Sequence, residues 1–234
     1  MPILGILFDK DGTLLDFNAT WVPAYRAAVA VVAGGDAALA ARLLSAGGQD
    51  DAAGTVAAGS LLAAGNSDEI SALWSMHAPG HGIDDLARTL DRIFLTQSAA
   101  SAAPVAGLTG TMTGLAARGL KLGIATSDSY DGAHATLEPF GILEHFSFIA
   151  GYDSGFGVKP EPGMVHGFCE ATGFAPSEVM VVGDNVHDLQ MGHRAGAGLC
   201  VGVLSGTSTC DHLTGLADHV VDSIADIEGL LSFH

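Results

Sequence analysis

The sequence predicts an α/β protein: a doubly wound (Rossmann-like) parallel sheet of five core strands, with an all-helical domain inserted after the first strand. Three observations predict it. Ile3 to Phe8 is an apolar run of strand length that ends abruptly in Asp9-Lys10-Asp11-Gly12. An unbroken apolar run suits a strand buried on both faces of a parallel sheet. Residues 17–96 then read as helices and short turns alone. From about Ala102 onward, apolar strands alternate with helices, the pattern of parallel strands joined by right-handed crossovers. The expected division is 1–16 with 97–234 for the sheet domain and 17–96 for the helical one.

The elements follow in order. Thr20 can cap a helix from Trp21 to Val32 that Gly34-Gly35 ends, and Asp36 can cap the next, Ala37 to Leu44, stopped by Gly47-Gly48. Asn66 with Glu69 forms a capping-box pattern ahead of Ile70, Leu73 and Trp74, and Pro79-Gly80 breaks that helix. Asp84 opens Leu86 to Leu95. In the alternating part, helices are expected over Leu108–Arg118, Ala133–Pro139, Gly163–Thr172 and Val186–Ala195. The remaining core strands are Leu120–Ala125, Phe146–Ala150, Val179–Val182 and Leu199–Val203, with a short closing strand at His219-Val220-Val221.

Composition narrows the function. The 234-residue chain is 48% hydrophobic and 15% charged, so it can bury a real core, and no apolar run reaches membrane-spanning length. Met1-Pro2 runs directly into the first strand, from which no signal peptide is expected. Cys169, Cys200 and Cys210 lack metal-type spacing, which fits reduced thiols and a cytoplasmic location. With 26 acids against nine Lys and Arg the formal charge is −17, which argues against nucleic acid or an anionic membrane as partner. An anionic substrate would need positive charge supplied locally, by a metal and a few placed cations.

Ligands of such sheets bind beyond the carboxyl ends of the strands, so the residues there matter most. Strand one supplies Asp9 and Asp11. Strand two supplies Thr126 and Ser127, hydroxyl donors with backbone amides beside them. The loop after strand three supplies Lys159, held by Pro160, and strand four supplies Asp184 and Asp188 at the start of a helix. Together they offer a metal cage, a nucleophile, hydroxyl donors and a fixed ammonium, the parts of a phosphoryl-transfer site. Lys10 would point away from the two acids if the strand persisted, and is expected at the surface. His187 is expected to be solvated or to support the site from outside it. His77 and His81 are four apart, but the break between them makes a metal pair improbable.

Asp9-x-Asp11-Gly12-Thr13-Leu14, Thr126 after an apolar strand, Lys159-Pro160 and Gly183-Asp184-x-x-x-Asp188 resemble the four motifs of the haloacid dehalogenase superfamily. The likeness covers the whole chain, and the inserted helices match the cap of its C1 subclass. Phe8 to Leu14 and Gly151-Tyr152 to Lys159-Pro160-Glu161-Pro162 look most like phosphoglycolate phosphatase-like members. The resemblance implies that Asp9 attacks phosphorus to form an aspartyl phosphate, and that Asp11 protonates the leaving alkoxide and then activates water. It implies Mg2+ held by Asp9, the backbone carbonyl of Asp11 and Asp184, with Asp188 and Asn185 supporting it through water. Thr126, Ser127 and Lys159 would bind the phosphoryl group.

Other readings share parts of this pattern. Carbon–halogen cleavage would not need Asp11, while phosphosugar mutases of the same fold share all four motifs. A signalling receiver has an acidic pocket too, but neither a cap nor the Asp-x-Asp acid/base. The expected partner is a small-molecule phosphate ester, 2-phosphoglycolate first and a phosphosugar behind it. Asn18, Trp21 and Tyr25 could reach the pocket, although for Trp21 packing within the helical domain is favoured. Arg26, Arg42, Arg88 and Arg92 are the full cations there that could meet a substrate carboxylate.

Overall fold

The computed structural model describes residues 2–78 and 85–231. The chain forms β1 (Gly5–Phe8), α1 (Phe17–Ala33), α2 (Ala37–Gly47), β2 (Gln49–Asp50), β3 (Thr55–Val56), α3 (Leu61–Ala64), α4 (Ser67–His77) and α5 (Leu86–Ser101). It continues through α6 (Leu108–Ala117), β4 (Lys121–Ala125), α7 (Tyr130–Leu137), β5 (Phe146–Ala150), α8 (Gly163–Thr172), β6 (Val179–Gly183) and α9 (Val186–Ala195). It closes with β7 (Leu199–Val203), α10 (Cys210–Leu213), β8 (His219–Val221) and α11 (Ile227–Leu230).

The sheet runs β5-β4-β1-β6-β7-β8, with every pair parallel. The five expected core strands are all present, and the closing strand β8 joins them as a sixth at the edge. Ile6 and Phe8 enter an apolar cluster with Leu108, Met112 and Ile227 on one face, while Leu7 enters another with Val165 and Phe168. All three are fully buried, worth about 1.5–3 kcal/mol each, so neither face of β1 can be left in water. That is the physical content of its unbroken apolar run.

Register then places the site. Phe8 lies opposite Ile124 of β4 and Val182 of β6, and Asp9 N–H extends the ladder to Val182 O at 2.8 Å. The residues just past these strand ends, Asp9, Thr126 and Asp184, therefore emerge side by side.

The inserted segment has an apolar cluster of its own, drawn from residues between Phe17 and Phe94 and including Trp21, Tyr25 and Trp74. Its connections to the sheet run together: Asp16 N–H donates to Ala103 O and Val105 N–H to Leu14 O. Several details depart from expectation. The cap of α1 is Asp16, whose carboxylate accepts from Ala19 N–H at 2.9 Å, so the helix begins four residues before Trp21. Thr20 is inside it, and its hydroxyl accepts from Ala103 N–H. The segment is not wholly helical, since β2 and β3 pair as a short antiparallel ribbon. Asn18, one of three residues close enough in sequence to reach the pocket, accepts from Val56 N–H in that ribbon. The capping box of Asn66 and Glu69 is present. The break at Pro79-Gly80, His81 and the cap Asp84 lie outside the described residues; Asp85 accepts from Arg88 N–H at the start of α5, which runs on to Ser101.

Candidate active site

Beyond Phe8 the chain makes a tight loop in which Leu14 and Leu15 N–H both donate to Lys10 O. Gly12 has φ +92°, and a Cβ there would lie 2.6 Å from Asp184 Cγ. Both its backbone conformation and the approach of Asp184 require glycine.

The expected rim residues converge. Asp9, Asp11, Thr126, Ser127, Lys159, Asp184, Asn185 and Asp188 all line one cavity between the sheet and the inserted helices. Lys159 Nζ bridges two carboxylates, Asp9 Oδ1 at 2.5 Å and Asp188 Oδ1 at 2.6 Å. Asp188 Oδ2 accepts from Asn185 N–H at 3.0 Å. Asn185 is the N-cap of α9, where a carboxylate in the first turn is favoured by the helix dipole. Asp184 Oδ2 accepts from Thr207 N–H at 2.7 Å. Thr126 Oγ1 lies 3.4 Å from Asp11 Oδ2 and accepts from Asp128 N–H. His187 lines the cavity, and its N–H donates to Asn185 Oδ1.

Three residues of the site were not expected from the sequence. Lys10, expected at the surface, is fully buried, with Nζ 2.7 Å from Asp11 Oδ1 and 3.1 Å from Asp128 Oδ2, under the Trp21 ring. Strand alternation did not apply to it, because β1 ends at Phe8 and the loop turns Lys10 inward. Asp128 follows Thr126 and Ser127 and belongs to the same strand-end cluster. Thr207 comes from the Ser205-Gly206-Thr207 turn after β7, where Ser205 Oγ also donates to Gly12 O. Hydroxyl residues right after an apolar strand were the signal available for it.

The charges do not balance among the protein groups. Burial, together with the neighbouring Asp188 and Asp11, raises the Asp9 carboxyl to about 7 in spite of Lys159. Burial beside Asp9 and Asp188 lifts Asp184 well above the ordinary carboxyl range. For Lys159, burial disfavours the charge, but Asp188 and Asp9 outweigh it and the ammonium is held more firmly than usual. Carboxylate oxygens of Asp9, Asp184 and Asp188 can lie within 4.8 Å of one another. Asp9 Oδ2 is buried with no hydrogen-bond partner among the described residues. An all-oxygen donor set with excess negative charge and an open buried oxygen fits a hard divalent cation such as Mg2+.

The comparisons with known proteins agree with this geometry. Residues 3–196 match the family model of haloacid dehalogenase-like hydrolases. The chain belongs to that family. It is 32% identical over 117 residues to the pyrophosphatase PpaX of Oceanobacillus iheyensis, covering 50% of this chain and 55% of that protein. In such matches the chain spans about half the length of the relative. It is 28% identical over 210 residues to the phosphoglycolate phosphatase of Shigella boydii, covering 83% of this chain and 79% of that one. The solved structure of CbbY from Rhodobacter sphaeroides in complex with phosphate superposes with a TM-score of 0.73 at 23% identity over 96% of both chains.

Proposed function

We propose that the protein is a magnesium-dependent phosphomonoester hydrolase acting through an aspartyl-phosphate intermediate on a small phosphorylated metabolite. The observation that carries this reading is the state of Asp9. It is a buried carboxylate with one oxygen on Lys159 and the other without a partner among the described residues, two residues before a second acid. In the first step Asp9 attacks phosphorus, the new bond to its oxygen forming as the phosphorus–alkoxide bond breaks. Asp11 gives its proton to the departing alkoxide. In the second step Asp11 takes a proton from water, which attacks the same phosphorus, releases phosphate and returns Asp9. Lys159, Thr126 and Ser127 hold the phosphoryl oxygens as charge redistributes among them. Asp9, Asp184 and the Asp11 carbonyl would hold Mg2+, with Asp188 and Asn185 in support, and the ion would neutralise the phosphate dianion among the carboxylates.

In this reading residues 17–96 are a cap over a catalytic domain of 1–16 and 97–234, excluding water and meeting the alcohol portion of the substrate. 2-Phosphoglycolate is the first ester to assay, since a relative covering most of the chain carries that name. The test is phosphate release from a panel of small esters. We expect turnover with Mg2+, none with chelator, and none in Asp9→Asn. Full activity of Asp9→Asn would overturn the covalent mechanism.

A further inference from the structure

We infer that the cap end of the pocket takes a neutral, hydroxylated alcohol portion of the phosphate ester, a polyol or sugar, and disfavours one that carries a carboxylate. The inference rests on the phosphomonoesterase reading and names its substrate class.

Charge is the first ground. Among the described residues no arginine lines the cavity. The four cap arginines are exposed; Arg26 pairs with Asp51 and Arg88 with Asp85. The ammonium of Lys10, nearest to the cap, is fully buried and engaged by Asp11 and Asp128. Lys159 is held by Asp9 and Asp188 at the opposite, phosphoryl end. The backbone amides nearest the cavity carry no full charge and have acids beside them. The start of α4 borders the cavity at Asn66 and Ser67, where a capping box joins Glu69 N–H to Asn66 Oδ1 and Asn66 N–H to Glu69 Oε2. Its first turn also carries Asp68 and Glu69, which repel an anion. A carboxylate placed here would lose its water and meet no arginine among the described residues, with acids on the adjoining helix.

The lining supplies the second ground. Trp21, Tyr25 and Phe94 form one aromatic wall, with centroids 5.4–5.5 Å apart. Trp21 is 6% exposed, and its Nε1–H is buried with no acceptor among the described residues. An unpaired buried donor is costly unless a ligand or water completes it. An aromatic wall with one open N–H suits a group with a C–H face and a hydroxyl acceptor.

The experiment measures kcat/KM with Mg2+ for glycerol 3-phosphate, erythrose 4-phosphate and glucose 6-phosphate against 2-phosphoglycolate and 3-phosphoglycerate. At least one neutral hydroxylated ester is expected to exceed both carboxylates by about tenfold or more. Either carboxylate ester leading overturns the inference while leaving the phosphatase reading intact; no turnover of any ester overturns both. Trp21→Phe keeps a ring and removes the donor, and is expected to raise KM for the best neutral ester about two- to tenfold more than for phenyl phosphate. Equal changes in the two would remove Trp21 as donor. Ala64→Arg places a cation on the half-buried cavity wall and is expected to shift the kcat/KM ratio toward 2-phosphoglycolate. A ratio shifted toward the neutral esters instead would contradict the charge argument.

Discussion

The sheet rim and the cap lining share one cavity and are opposite environments. The rim crowds carboxylates around two ammonium groups, held at strand ends, a helix start and the loops that follow the strands. The cap lining is aromatic and neutral, and its cations face water. The difference separates two tasks. In the proposed function, charge held on the rim acts on the phosphoryl group, which every substrate shares, so rim changes should alter the rate for all esters together. In the same proposal, shape and missing charge in the cap act on the part that differs, so cap changes should alter the ratio between esters.

Asp11→Asn tests the rim side most severely. We expect a loss of about 10²–10⁴-fold in kcat for alkyl phosphates, the cost of removing one placed acid/base. Their rank order should be kept. A variant that reorders the esters would show that Asp11 reads the alcohol portion and would break the separation.

Lys10→Met comes next, and is expected to act first on stability. It leaves buried Asp128 and part-buried Asp11 without their ammonium, which costs about 3–5 kcal/mol. Burial lowers the Lys10 pKa, but Asp11 and Asp128 outweigh it, so the folded value lies above 10.5. The stabilisation from that raised pKa is therefore complete below the unfolded value and lost as pH rises through the folded one. Thermal denaturation at neutral pH checks the loss; a melting temperature unchanged from the parent would show the pair to be replaceable.

Lys10 also marks where the sequence stopped being legible. The rim could be read because strands of buried apolar residues have abrupt ends, and polar residues at those ends have few places to point. Asp9, Thr126 and Asp184 were found that way, and the parallel register sets them side by side. Lys10 was misread because period-two alternation was carried past Phe8, where the strand had already ended. Thr207 escaped because it reaches Asp184 from a turn after another strand, a contact that depends on tertiary approach. The start of α1 was misplaced for a local reason: Asp16 and Thr20 can both cap, and the residues between them favour neither. In the cap, helix caps such as Asn66 with Glu69 were readable, yet which face of α1 meets the cavity depends on packing against α5.

Within the rim, Asp184 and Asp188 should differ. Asp188 has both oxygens engaged, by Lys159 and Asn185 N–H, whereas Asp184 is anchored through Oδ2 on Thr207. We expect Asp188→Ala to weaken Mg2+ by about 10–100-fold, as loss of a supporting contact does, and Asp184→Ala to weaken it more. Magnesium titration of activity checks the order, and equal effects would refute it. The same cluster sets a pH dependence in chelator. Folded Asp9 keeps its proton to about 7 against 3.8 in the ordinary carboxyl, and Asp184 shifts the same way. The folded state then binds more protons than the unfolded one above pH 3.8, so stability falls as pH rises toward and through 7. Added Mg2+ should raise the melting temperature more at pH 8 than at pH 5.

The smallest expected effect concerns the join between the two regions. Tyr152, in the loop after β5, donates its hydroxyl to the Asp91 carboxylate of α5, with both oxygens at 2.9–3.0 Å. Both residues are half-buried, so solvent takes back part of the bond, leaving about 1 kcal/mol. The bond exists only while the cap lies against the rim. Tyr152→Phe removes the hydroxyl and keeps the ring, so it should lower the population of that arrangement without touching the lining of either region. A smaller competent fraction raises apparent dissociation constants in inverse proportion. The expected result is a KM increase of about two- to fivefold with kcat nearly unchanged, the same for every ester. Asp91→Asn should reproduce it, and the double variant should add little, because both changes break one bond. A KM change confined to one class of ester would place Tyr152 among the groups that read the substrate, and the boundary between rim and cap would have to be redrawn around it.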